Sequence, residues 1–243
     1  MDSFGGSLLV YSLAISASVA TGGLIPMALA WTKQHLPILL SFSAGLMLGT
    51  VMIHLLPEAY AIIGKEAHIA ALAGFIFLYT FEKFVTVHIC EALDCEVHTI
   101  GVAAIVGLSI HSLTDGIALG SGLLIPSLGF IVFLTIFFHK LPEAFALTSI
   151  LLHENYRARK ILLMNGLLIV TVPLGALLVF ATAAHGGSRL TGLALAFSAG
   201  TFLHISLSDL LPEVHKYATR KTIIFVAFLA GMTVTYFLQG LSL

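Results

Sequence analysis

Long apolar stretches alternate with short polar links along nearly the whole chain, a pattern that predicts helices spanning a bilayer. Windows of about 19 residues place spans near 7–31, 37–60, 68–88, 101–124, 128–152, 160–184, 190–213 and 222–242. Strand-like alternation is absent. Each stretch is also far longer than the roughly 10-residue strand of a membrane barrel, so the spans read as helices, which satisfy their own backbone in lipid. The predicted fold is all-α: a polytopic membrane protein of eight transmembrane helices, one transmembrane domain over 1–243.

Composition agrees with this pattern. Hydrophobic residues make up 58% of the 243 and charged residues 9%, with a mean hydropathy of +1.05; soluble domains are typically about 25% charged. Eight spans use up most of the length, so no sizeable soluble domain is expected, and the lipid bilayer is the main partner. No basic cluster interleaved with aromatics offers a surface to nucleic acid. The start, MDSFGG, has no basic region ahead of the first apolar run, which argues for a first span rather than a cleaved signal peptide. Lys33, Lys83, Arg157, Arg159, Lys160, Lys216, Arg220 and Lys221 lie beside the links after spans one, three, five and seven. The opposite side has Lys65 and Arg189, so both termini are predicted to be extracytoplasmic. The expected location is the plasma (inner) membrane.

An internal repeat is visible. FSAGLMLGTVMIHLLPE, from Phe42 to Glu58, matches FSAGTFLHISLSDLLPE, from Phe197 to Glu213, without a gap. Span two would run outward and span seven inward, so the copies form an inverted repeat of the kind secondary transporters use.

The polar residues inside the spans carry the chemistry. Span four contains HSLTDG, starting at His111, and span five contains HKLPEA, starting at His139. Each motif places an acid four residues after a His, on the same helix face: His111 with Asp115, and His139 with Glu143. The link around Ile125–Gly129 is very short and forces the two helices to be antiparallel neighbours, so the pairs meet at one depth. Ionisable groups at the bilayer centre cost several kcal/mol each and need a shared partner. Two imidazoles and two carboxylates suit a divalent cation: tetrahedral zinc first, with iron, manganese or cadmium also admitted. The alternative is interhelical hydrogen bonding alone. Pro142, just before Glu143, frees the Phe138 carbonyl and invites a kink.

Further polar residues mark a path. His54 and Glu58 fall toward the outer end of span two, and Asp209 and Glu213 toward the cytoplasmic end of span seven, with His204 and Ser208 lining the inner route. The link after span three, VHICEALDCEVH, gathers His88, Cys90, Cys95 and His98 on the predicted cytoplasmic side. It is a candidate metal relay, with no standard zinc-finger spacing and with thiols expected to be reduced there.

These motifs resemble the ZIP family of metal-ion transporters: paired motifs on spans four and five, LIP near the end of span one, the FSAG openings and PLG in span six. The resemblance covers nearly the whole chain. It implies a three-plus-two-plus-three arrangement, a homodimer, and movement of zinc or related divalent ions toward the cytoplasm. His111, Asp115, His139 and Glu143 match the family's primary metal ligands, and Ser112 a polar residue beside them. The implied motion is elevator-like, with spans one, four, five and six moving against two, three, seven and eight.

Two departures bear on metal number. Some family members hold two adjacent metals, using an Asn after the first His and an acid after the second; here those positions are Ser112 and Lys140. Lys140 lies about ten residues inside its span, roughly 15 Å of helix rise, too deep to snorkel comfortably. Its ammonium would repel a second cation and partly neutralise Asp115 and Glu143. Span six carries Asn165 where similar proteins have an acid. One transported ion, not two, is expected.

Zinc is thus expected as substrate, with no organic cofactor. No GxxxxGK motif points to ATP. Two other functions use the same residues. An intramembrane metalloenzyme would activate a zinc-bound water, but HExxH is absent and four ligands leave no general base; a metal-sensing receptor would bind without transport.

Overall fold

The computed structural model describes residues 2–28, 36–89, 98–125, 128–153, 155–212 and 221–239. Helix α1 covers Asp2–Ala28. Helix α2 runs in three parts: Leu36–Thr50, a wider π-helical turn at Val51–Leu55, and Leu56–Ile63. Helices α3, α4 and α5 cover Glu66–Ile89, His98–Leu123 and Gly129–His153. Residues Ala158–His204 form two helices, α6 and α7, that meet at Gly187, whose φ of 62° and ψ of −165° suit a residue without a Cβ. Helix α7 continues through a second π turn, Ile205–Leu210, and α8 covers Lys221–Gln239. No strand occurs among the described residues.

Among the described residues, seven of these helices are long and apolar enough to cross a membrane. Helix α4 carries His111, Ser112, Thr114 and Asp115, and these polar groups are buried inside the bundle. Large apolar side chains instead face outward on α3 and α8, including Ile69, Leu72, Phe225 and Phe237. That reversal of a water-soluble pattern is what lipid as solvent selects.

The repeat extends beyond the matched segments into the way the helices pack. In both copies a π turn precedes the proline of LLPE: Leu56 N–H bonds the Val51 carbonyl before Pro57, and Leu211 N–H bonds the Ser206 carbonyl before Pro212. A proline ring crowds the carbonyl four residues back and supplies no donor. Widening the turn to a five-residue bond accommodates both defects.

Glycines repeat with the same symmetry. A Cβ at Gly45 would strike the Phe228 carbonyl, and one at Gly231 the Phe42 carbonyl, which joins α2 to α8. Gly200 faces the Ala71 carbonyl in the same way, and Gly74 the Phe197 carbonyl, which joins α7 to α3. The short motifs Ala71-Leu72-Ala73-Gly74 and Phe228-Leu229-Ala230-Gly231 thus play one role in the two halves. Around the centre, Gly22 of α1 faces the Leu141 carbonyl of α5, and Gly175 of α6 faces the Leu113 carbonyl of α4. Leu141 and Leu113 each lie two residues after the His of their motif. Close backbone approach at small residues drives association where lipid removes the hydrophobic drive.

Candidate metal centre

Helices α4 and α5 run antiparallel across the short link and bring the two motifs face to face. His111, Asp115, His139 and Glu143 each offer a ligand atom, and these atoms lie within 4.8 Å of one another. His111 Nε2 lies 3.1 Å from Glu143 Oε2 and 3.4 Å from Asp115 Oδ2. His139 Nε2 lies 3.3 Å from Asp115 Oδ2 and 3.9 Å from Glu143 Oε2. Both imidazoles and Asp115 are buried.

The hydrogen bonds define what this pocket lacks. His139 Nδ1 donates to the Thr135 carbonyl at 2.8 Å, because a carbonyl can only accept. Its Nε2 thereby faces Asp115 Oδ2, 3.3 Å away. Fixing the tautomer through the outer nitrogen is how metal-binding imidazoles are oriented. Asp115 Oδ1 and His111 Nδ1 are buried without a hydrogen-bond partner, so ligand capacity remains unused.

Lys140 lies among these groups at 0% exposure. Its Nζ contacts Glu143 Oε2 at 2.6 Å, Asp115 Oδ2 at 2.7 Å and Ser112 Oγ at 2.8 Å. An ammonium has three donors, and all three are engaged. Ser112 also reaches Glu143 Oε1 at 3.5 Å. The ammonium thus binds the same two carboxylate oxygens that face the imidazoles, and any cation entering the pocket must share them with it.

Asn165 is buried on α6. Its amide donates to Thr148 Oγ1 at 2.9 Å and to the Ile161 carbonyl at 3.0 Å, and Gly23 of α1 leaves room for it. His54 is buried with Nε2 at 2.9 Å from the Thr235 carbonyl, a tie between α2 and α8, while Glu58 is half-buried in the last part of α2. His204 and Asp209 come together on α7, and Ser208 is exposed. Cys90, Cys95 and Glu213 lie outside the described residues, as do the side chains of His88 and His98 at the ends of α3 and α4. Sequence reasoning missed Glu82, which pairs with His204 at 2.8 Å. It stands beside Lys83 near the end of its span and reads as an ordinary interfacial charge.

A bundle of apolar helices that gathers two imidazoles and two carboxylates around one point defines a polytopic membrane protein with an internal side-chain cluster that fits a metal ion. The sequence profile of the ZIP zinc transporter family matches residues 6–92 and 90–239, and the chain belongs to that family. It is 28% identical to zinc transporter ZIP9 of Micropogonias undulatus over 88% of this chain and 86% of the relative. Identity is 29% to zinc transporter ZIP9-B of Xenopus laevis, with the same coverage. A bacterial relative, zinc transporter ZupT of Nitratidesulfovibrio vulgaris, is 26% identical over 95% of both chains.

Proposed function

We propose that the chain carries zinc, or a similar divalent ion such as iron, manganese or cadmium, across the membrane toward the cytoplasm. His111, Asp115, His139 and Glu143 hold the ion on its way. The observation that carries this reading is the convergence of one ligand atom from each of His111, Asp115, His139 and Glu143 within 4.8 Å, a donor set that suits a divalent ion. The names of the relatives support zinc as cargo.

A single ion is favoured by charge. Lys140 already offsets one of the two carboxylates. One divalent ion then brings the pocket slightly positive, and a second would leave a large uncompensated charge far from water.

Alternating access draws support from how close backbone approaches are distributed. Gly22 joins α1 to α5, and Gly116, Gly120 and Gly175 join α4 to α6; Gly45 and Gly231 join α2 to α8, and Gly74 and Gly200 join α3 to α7, so none of these approaches crosses between the set α1, α4, α5, α6 and the set α2, α3, α7, α8. Among the described residues the polar ties between these two groups are Ser43 to the Phe138 carbonyl, Thr50 to Thr135 at 2.6 Å, and Ser198 to the Thr114 carbonyl at 3.5 Å. An interface without interlocked backbones can slide, so the first group moves as the carrier and the second stays as its frame. A homodimer in the plasma (inner) membrane, with both termini outside, completes the reading.

Zinc uptake into proteoliposomes tests it. Uptake is expected with the native protein and is lost in His139→Ala and Glu143→Ala. Tight zinc binding without flux in the native protein would favour a sensor instead.

A further inference from the structure

Where α2 of the frame meets α5 of the carrier, apolar side chains surround one pair of hydroxyls. Met47 and Val51 of α2 belong to the same apolar cluster as Val132 and Ile136 of α5. Apolar attraction has no preferred direction, so a surface of this kind tolerates many positions of one helix along the other. Thr50 and Thr135 lie within it, both at 0% exposure, with their Oγ1 atoms 2.6 Å apart. A hydrogen bond depends on distance and angle, and this one is met at a single position of the carrier.

The direction of the bond follows from its neighbours. Thr135 donates its one hydroxyl proton to the Ile131 carbonyl at 2.9 Å, so the proton between the two threonines comes from Thr50. Elsewhere in the bundle a helical threonine turns its hydroxyl onto its own helix: Thr171, Thr182 and Thr233 donate to the carbonyls four residues back. Thr50 instead reaches across from frame to carrier. His139 Nδ1 donates to the Thr135 carbonyl, so the residue that Thr50 grips also orients a metal ligand.

The internal repeat shows that packing alone does not call for this hydroxyl. Ile205 stands at the position of Thr50 in the second copy and is buried as well, so a branched apolar side chain fills the same place. Ser43 and Ser198 do occupy matching positions, and both are buried. They too cross from frame to carrier, to the carbonyls of Phe138 and Thr114, the residues just before His139 and Asp115. At 3.3 Å and 3.5 Å these contacts are longer than that of Thr50, which makes the tightest of the three ties.

We propose that Thr50 and Thr135 form a latch that holds the carrier at one end of its travel. This rests on the sliding reading above and names the contact that opens when sliding begins. Opening does not strand the Thr50 hydroxyl, because the Leu46 carbonyl four residues back offers the local acceptor that other helical threonines use. Thr135 keeps its own bond to Ile131 throughout. The hydroxyl thus exchanges one acceptor for another, which costs less than leaving a buried donor unpaired. Such a latch favours one position without locking it.

Spin labels on the full-length protein measure the position of carrier against frame. Leu163→Cys on α6 and Phe225→Cys on α8 carry the labels, at side chains 66% and 60% exposed. Cys90→Ser and Cys95→Ser are present throughout, and excess unlabelled chain in the bilayer ensures that each distance comes from within one chain. Two distances are expected, one for each end of the travel. Thr50→Val keeps the branched shape and removes the hydroxyl; it is expected to shift the ratio of the two populations about two- to tenfold away from the latched position. Thr50→Ser is expected to restore the native ratio. Thr135→Val is expected to match Thr50→Val, and the two together to add little more, as befits one shared bond. The proposal is overturned if Thr50→Val and Thr135→Val leave the ratio at its native value, even where they lower the melting temperature. It is overturned equally if Thr50→Ser shifts the ratio as far as Thr50→Val. An unmoved ratio between two distances removes the latch alone, whereas a single distance in every protein, with and without zinc, removes the sliding reading and the latch with it.

Discussion

The Ser43 hydroxyl donates to the main-chain carbonyl of Phe138 at 3.3 Å. This carbonyl lies four residues before Pro142 and has lost its helical donor. Helix α2 therefore satisfies a group that the proline of α5 exposes, one residue from His139. Ser43→Ala is expected to destabilise the protein by about 1 kcal/mol, read as a lower midpoint in detergent unfolding. Zinc affinity at the central site is expected to stay within a few-fold of native. A loss of affinity as large as that of His139→Ala would show that this bond sets the ligand geometry.

Lys140 holds two buried carboxylates in the absence of metal, so its removal makes the fold depend on the ion. In Lys140→Met, Asp115 and Glu143 lose their lysine partner, and an unpaired buried charge costs several kcal/mol. The metal-free melting temperature should fall. The rise in melting temperature on adding zinc should exceed that of the native protein, because a ligand bound only by the folded state stabilises it by mass action. Equal zinc-induced shifts in the two proteins would contradict this role.

Reversing the charge at the same position tests metal number. Lys140→Asp supplies a third carboxylate where the ammonium stood, and elemental analysis of the purified variant should find more zinc per chain than in the native protein, rising from one toward two. Unchanged metal content would show that something other than Lys140 excludes the second ion.

The glycine contacts predict a sharp positional contrast. Gly175 faces the Leu113 carbonyl so closely that any Cβ forces the helices apart, whereas nothing lies within 4 Å of a Cβ at Gly166 on the same helix. Gly175→Val is expected to cost about 1–3 kcal/mol and to disturb the central site through α4. Gly166→Ala is expected to be neutral or slightly stabilising. Comparable melting temperatures for both variants would refute close approach as the basis of the α4–α6 contact.

Much of the site was legible in the chain. The spacing of His and acid put each pair on one helix face, and the short link between α4 and α5 put the faces together. Lys140 was legible as a neighbour of the carboxylates because its depth leaves an ammonium nowhere else to go. Its three-way contact with Glu143, Asp115 and Ser112 was not, since that depends on rotamers. The partner of Asn165 was equally illegible: its amide donates to Thr148 Oγ1, a contact between two helices that motif position does not reveal. The π turns left a trace in the two LLPE prolines, but a proline allows several distortions and the packing of α2 and α7 selects one.

What the sequence determined by itself was the all-α class, the repeat and the central four residues, because these follow from apolar length and from helical periodicity within single spans. Tertiary structure alone decided which helices interlock through glycine, and that Glu82 meets His204 from 122 positions away along the chain. The physical reason is that periodicity is a local property of one helix, whereas the meeting of two helices depends on a summed fit of many small contacts. No single residue encodes that sum.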